Sequence, residues 1–90
     1  MRTARRFVIG GRVQGVGFRF FAEDAARREN LHGWVRNRPD GRVEIAVEGD
    51  VEALLRFEGA VRHGPPAARV DEVEVEHSAP TGRDTGFRIR

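Results

Sequence analysis

Ninety residues are enough for one hydrophobic core and too few for two. The absence of cysteine excludes disulfides, thiolate catalysis and cysteine-based zinc sites, and the 39% hydrophobic content includes no run long enough to span a membrane. All sixteen basic residues are arginine, so a lysine-bearing Walker A loop is excluded as well, and acids bring the net charge down to +2.

That charge is uneven. Residues 1–45 carry ten arginines and five acids (+5), residues 46–90 six arginines and nine acids (−3). The basic half suits an anionic ligand, although most of the arginine excess reads as a compositional or heat-adaptive trait. Met-Arg-Thr-Ala-Arg-Arg-Phe is basic but leads into a charged strand rather than an apolar segment. The expectation is therefore no signal peptide and a cytoplasmic location.

Phe7, Ile9 and Val13 alternate along a first strand, which runs into the glycine-bearing stretch Gly11-Arg12-Val13-Gln14-Gly15-Val16-Gly17-Phe18-Arg19. Phe18, Phe21, Ala22, Ala25 and Ala26 then fall at helical spacing, with Arg19, Glu23 and Arg27 opposite and Asn30 as a left-handed stop. A short strand is expected from about Gly33 to Asn37, followed by a tight turn at Arg38-Pro39-Asp40-Gly41. In the third strand Val43, Ile45 and Val47 point inward while Glu44 and Glu48 point to solvent. Asp50 caps a second helix with a buried stripe of Val51, Leu54, Leu55, Glu58 (a polar interruption) and Val61. Val73 and Val75 alternate with glutamates in a fourth strand, and Phe87 and Ile89 face inward in a short last one.

The order β-α-β-β-α-β-β predicts an α+β, ferredoxin-like sandwich: βαββαβ plus a short C-terminal strand, both helices on one face of a mainly antiparallel sheet. The other face is expected to be partly solvated. Residues 1–90 read as a single domain.

The glycine loop joins a strand to a helix, so its freed N–H groups and the positive helix end form an anion cradle. Arg19 sits in the first helical turn, where a cation opposes the helix dipole. Its planar fork can hold a phosphate bidentately, or it can pair with Glu23. Gln14 to Arg19 spans the same interval as the Cys-to-Arg loop of cysteine phosphatases, with Gln14 at the nucleophile's position. A cradle without a nucleophile fits phosphate binding followed by attack of water. Asn37 fits either a strand-ending conformational role or an amide that orients a water. His32, His63 and His77 are scattered, so no metal site follows, and Ser78 has no base beside it. Asp40 and Glu44 read as solvated turn chemistry, and Trp34 as core or sheet-face packing.

Gly11 to Arg19, followed by Gly33-Trp34-Val35-Arg36-Asn37-Arg38-Pro39-Asp40-Gly41-Arg42-Val43-Glu44, resembles the two signature blocks of the acylphosphatases, and Gly86-Phe87-Arg88-Ile89-Arg90 resembles their closing strand. The resemblance implies the same ferredoxin-like fold, with hydrolysis of the carboxyl–phosphate bond of a small acyl phosphate and no cofactor or metal. Carried over by position, Gln14, Gly15, Val16, Gly17 and Phe18 supply backbone N–H groups to the phosphate, Arg19 clamps it, and Asn37 holds the attacking water. The substrate phosphate would take the water's proton. Neither a nucleic acid nor a membrane is expected as partner, and a monomer is the simplest expectation. An RNA-binding module is disfavoured because strand three, Arg42 to Glu48, has no aromatic and carries two glutamates. A domain serving a larger enzyme's carbamoyl-phosphate chemistry is disfavoured because the chain stops at Arg90. An interaction protein would bind phosphate without turnover.

Overall fold

The computed structural model describes all 90 residues. The elements are β1 (Arg2–Arg12), α1 (Phe18–Arg28), β2 (His32–Asn37), β3 (Val43–Asp50), α2 (Val51–His63), β4 (Arg69–Ser78) and β5 (Phe87–Ile89). They build one five-stranded sheet in the order β4-β1-β3-β2-β5. β1 pairs antiparallel with β3 and β4, and β2 antiparallel with β3. Only the edge strand β5 is parallel, running beside β2. Each helix crosses over one intervening strand, the split βαβ arrangement expected from the element order.

Period-two alternation selects the helix-facing side. Phe7, Ile9, Val35, Val43 and Ile45 are fully buried there against Phe18, Ala22, Ala26, Leu54, Phe57 and Val61. Helix α1 ends in a Schellman motif: the Leu31 N–H reaches the Ala26 carbonyl at 2.9 Å and the Asn30 N–H that of Arg27 at 3.2 Å, with Asn30 at φ 55°. Helix α2 is capped by the Asp50 carboxylate, which accepts from the Glu52 N–H at 3.1 Å. No helix is long and apolar enough to cross a membrane.

Two expectations are corrected. The buried stripe of α2 is Ala53, Leu54, Phe57 and Val61, while Leu55 is 55% exposed. Phe57 decides the rotation: its ring packs between Phe7 (centroids 6.0 Å apart) and Phe87 (6.3 Å), which turns Leu55 outward. Glu58 leaves the apolar stripe but still faces the sheet, accepting from the Arg5 guanidinium at 3.0 Å.

The second correction concerns the other sheet face, where Glu44 and Glu48 are buried rather than solvated. Glu44 lies between Arg6 and Arg36, accepting from the latter at 2.7 Å. Burial pushes its carboxyl up, but the two guanidinium groups outweigh that and hold it below the ordinary range. Glu48 accepts from the Thr81 hydroxyl (2.7 Å), the Thr81 and Gly82 N–H groups (3.1 and 3.0 Å) and Arg2 (2.9 Å). These donors overcome its burial and lower its pKa to about 2. Residues 79–86 thus form a strap across the face that alternation alone assigns to solvent.

Candidate active site

The glycine loop is held by its two apolar ends. Val13 and Phe18 are buried, 1% and 2% exposed, and Val16 packs partly against the same core. Between them Gly15 and Gly17 adopt left-handed conformations, φ 73° and 79°, which cost any other L-residue about 1–2 kcal/mol. Nothing lies within 4 Å of a Cβ built at either position, so conformation rather than crowding requires glycine. With these side chains tucked inward, the fold leaves the loop's backbone donors unused. The N–H groups of Gln14, Gly15, Val16, Gly17 and Phe18 enter no hydrogen bond, and the Phe21 N–H is the first to reach back, to the Gly17 carbonyl at 3.0 Å. No side chain caps α1 and no acid occupies its first turn. The positive end of the helix is therefore open to an anion.

Arg19 follows directly and is half-buried. It forms no ion pair with Glu23, which pairs instead with Arg27 at 3.2 Å. Arg19 is thus a cation beside a row of unpartnered donors, with no internal acid to neutralise it.

Asn37 arrives from the other half of the sheet. The register Ile9↔Val43↔Asn37 places it two strands from β1, at the end of the sheet where the glycine loop leaves. The β2–β3 turn forms as expected, closed by the Gly41 N–H to the Arg38 carbonyl at 3.1 Å and the Arg38 N–H to the Arg42 carbonyl at 2.8 Å. Loop and hairpin are joined by Gln14, whose Nε2 donates to the carbonyls of Arg38 (2.8 Å) and Arg42 (2.9 Å). Asn37 Oδ1 is buried without a partner. A buried unpaired acceptor generally costs about 1–3 kcal/mol, so its retention points to a ligand or water at that spot.

The loop residues, Arg19 and Asn37 thus lie at one end of the sheet, donors and cation on one side and an unsatisfied amide on the other. The Gln14 side chain points into the hairpin, so only its main chain is left for an anion. That bridge has no sequence signal, because its acceptors are carbonyls. His32 lies elsewhere, its Nδ1 accepting from the Gly86 N–H at 2.9 Å, and no three His, Asp or Glu side chains gather at ligating distance. A hollow of about 360 Å³ on the strapped sheet face, lined by Trp34, Thr81 and Arg88 among others, does not reach the glycine loop. The loop is still the better candidate, since a phosphate is bound by a rim of N–H groups rather than by an enclosed cavity.

Fold and site together define a small α+β sandwich with a main-chain anion cradle at one end of its sheet. The acylphosphatase family model matches residues 5–89. The chain is 55% identical over 92 residues to an acylphosphatase of Anaeromyxobacter dehalogenans, covering 99% of this chain and 96% of that one. It is 51% identical over 88 residues to one of Thermococcus kodakarensis, covering 98% and 96%. The crystal structure of acylphosphatase from Bacillus subtilis superposes with a TM-score of 0.94 at 43% identity, covering 100% of this chain and 99% of that one. The chain belongs to the acylphosphatase family, hydrolases of acyl phosphates.

Proposed function

We propose that this chain hydrolyses the carboxyl–phosphate bond of small acyl phosphates by in-line attack of water on phosphorus, without a metal. The phosphoryl group rests on the N–H groups of Gln14 to Phe18 and is clamped by Arg19. Asn37 holds the water on the opposite side. As the water oxygen bonds to phosphorus, the bond from phosphorus to the acyl oxygen breaks and the carboxylate leaves with the electron pair. A water proton passes to a non-bridging phosphate oxygen. An acyl phosphate has a good leaving group, so positioning and charge stabilisation can suffice without a covalent nucleophile.

The observation that carries this reading is the pairing across one end of the sheet: the five free N–H groups of Gln14 to Phe18 and an acid-free Arg19 on one side, a buried and unpartnered Asn37 Oδ1 on the other. Both halves come from one chain, which supports a monomeric working unit. The test is phosphate release from benzoyl phosphate with and without a chelator. Turnover under both conditions is expected. No turnover by the folded protein overturns the hydrolase reading, and loss of turnover with chelator overturns the metal-free mechanism.

A further inference from the structure

We infer that Gln14 is a positioning residue whose side chain keys the phosphate cradle to the water-holding hairpin, setting their distance. The inference rests on the roles proposed above for the loop and Asn37.

The geometry is specific to an amide. One nitrogen, Nε2, donates to two carbonyls four residues apart, Arg38 at 2.8 Å and Arg42 at 2.9 Å. Each carbonyl already accepts a hydrogen bond within the hairpin, from the Gly41 and Arg38 N–H groups. The two N–H bonds of Nε2 therefore fill the second acceptor position of each carbonyl. Glutamate has the same shape but would set carboxylate oxygens against two carbonyl oxygens. Methionine has the reach and no donor.

Position supplies the rest. Gln14 opens the cradle, its own N–H the first of the free donors, and Arg38 directly follows Asn37. Any shift of the hairpin relative to the loop moves the Asn37 amide relative to the cradle. No other side-chain hydrogen bond runs from residues 13–19 to residues 37–42. The cradle's own shape has independent supports in Gly15, Gly17 and the buried Val13 and Phe18. Removing the Gln14 amide should therefore leave phosphate binding in place while loosening the path from water to phosphorus. Misplacement of reacting groups by about 1 Å can cost about 100-fold in rate.

The experiment is a double-mutant cycle on benzoyl phosphate hydrolysis, using Gln14→Met, Asn37→Ala and the double variant, with kcat and the competitive inhibition constant of inorganic phosphate measured for each. Gln14→Met should lower kcat about 10- to 100-fold and change the phosphate constant less than about twofold. In the Asn37→Ala background it should lower kcat less than about twofold further, because the water it positions is already lost. Gln14→Glu should behave like Gln14→Met or worse. Additive losses in kcat, a phosphate constant that rises in step with the rate loss, or full activity of Gln14→Met each overturn the inference. Full activity of Asn37→Ala would instead overturn the water-holding role. Should Gln14→Met fail to fold, NMR of the native protein decides. Titration with inorganic phosphate should shift the amide signals of Arg38 and Arg42 together with those of Gly15 to Phe18, and shifts confined to the loop overturn the coupling.

Discussion

The strapped sheet face and the glycine loop treat their polar groups in opposite ways. On the strapped sheet face the acids are consumed internally: Glu44 is held by Arg6 and Arg36, and Glu48 by Arg2, Thr81 and Gly82. At the glycine loop almost nothing is satisfied. The five N–H groups of Gln14 to Phe18 are free, Arg19 meets no acid, and Asn37 Oδ1 is buried without a donor. The other buried polar atom without a partner, Arg5 Nε, belongs to a guanidinium already paired with Glu58 at 3.0 Å, whereas the Asn37 amide makes no side-chain hydrogen bond at all. The contrast separates polar groups that serve the fold from those held ready for a ligand.

The sharpest way to test that contrast is to remove a group from the unsatisfied end. Arg19→Ala should reduce kcat/KM for benzoyl phosphate by about 1000-fold or more, the scale seen when an arginine stabilising a transferring phosphoryl group is lost. It breaks no ion pair, so its unfolding free energy should change by no more than about 0.5 kcal/mol, the range of substitutions away from structural contacts. A large loss of stability would place Arg19 with the structural set. Asn37→Ala should lower kcat about 100-fold, the size of one positioned catalytic contact, and leave competitive inhibition by phosphate nearly intact. Because it also removes a buried acceptor without a partner, its Tm should not fall. A fall measured by thermal unfolding would mean that the amide supports the fold.

The same contrast marks what was readable beforehand. Strand faces were legible because alternation is local: Phe7 and Ile9, or Val43 and Ile45, announce their side without knowledge of partners. The loop was legible because its glycines and Arg19 are contiguous. The rotation of α2 was not, since Leu55 and Phe57 are both apolar and only the space between Phe7 and Phe87 chooses between them. Glu44 and Glu48 point outward as alternation requires, yet no local pattern tells that Arg36 or residues 81–82 cover them. The Gln14 bridge was hidden for a related reason, because its acceptors are main-chain carbonyls without residue identity.

At the satisfied end, Glu48→Gln should leave kcat unchanged and cost about 1–3 kcal/mol, the scale of hydrogen bonds to a buried charged group. The native pKa of Glu48, about 2, lies below its ordinary value. Its contribution is therefore fully present above the unfolded carboxylate range and is lost as pH falls from near 4.5 toward 2. Urea unfolding as a function of pH should show the native protein losing stability across that window, with a shallower slope for Glu48→Gln. Equal slopes would remove Glu48 from the account of acid stability.

The smallest expected effect isolates backbone conformation from function. Asn30 at φ 55° and Gly15 at φ 73° share the left-handed region, but only Gly15 lies in the cradle. Asn30→Ala should cost about 1 kcal/mol through the left-handed penalty, with the Schellman bonds at the end of α1 lengthened and catalysis unaltered. Gly15→Ala carries a comparable penalty, and a Cβ there meets no neighbour, so stability alone should not distinguish the two. The phosphate inhibition constant should: it stays fixed in Asn30→Ala and rises in Gly15→Ala, because relieving strain at Gly15 turns the free N–H groups away from a common centre. Equal phosphate affinity in both variants would mean that the cradle's curvature does not depend on the left-handed turn.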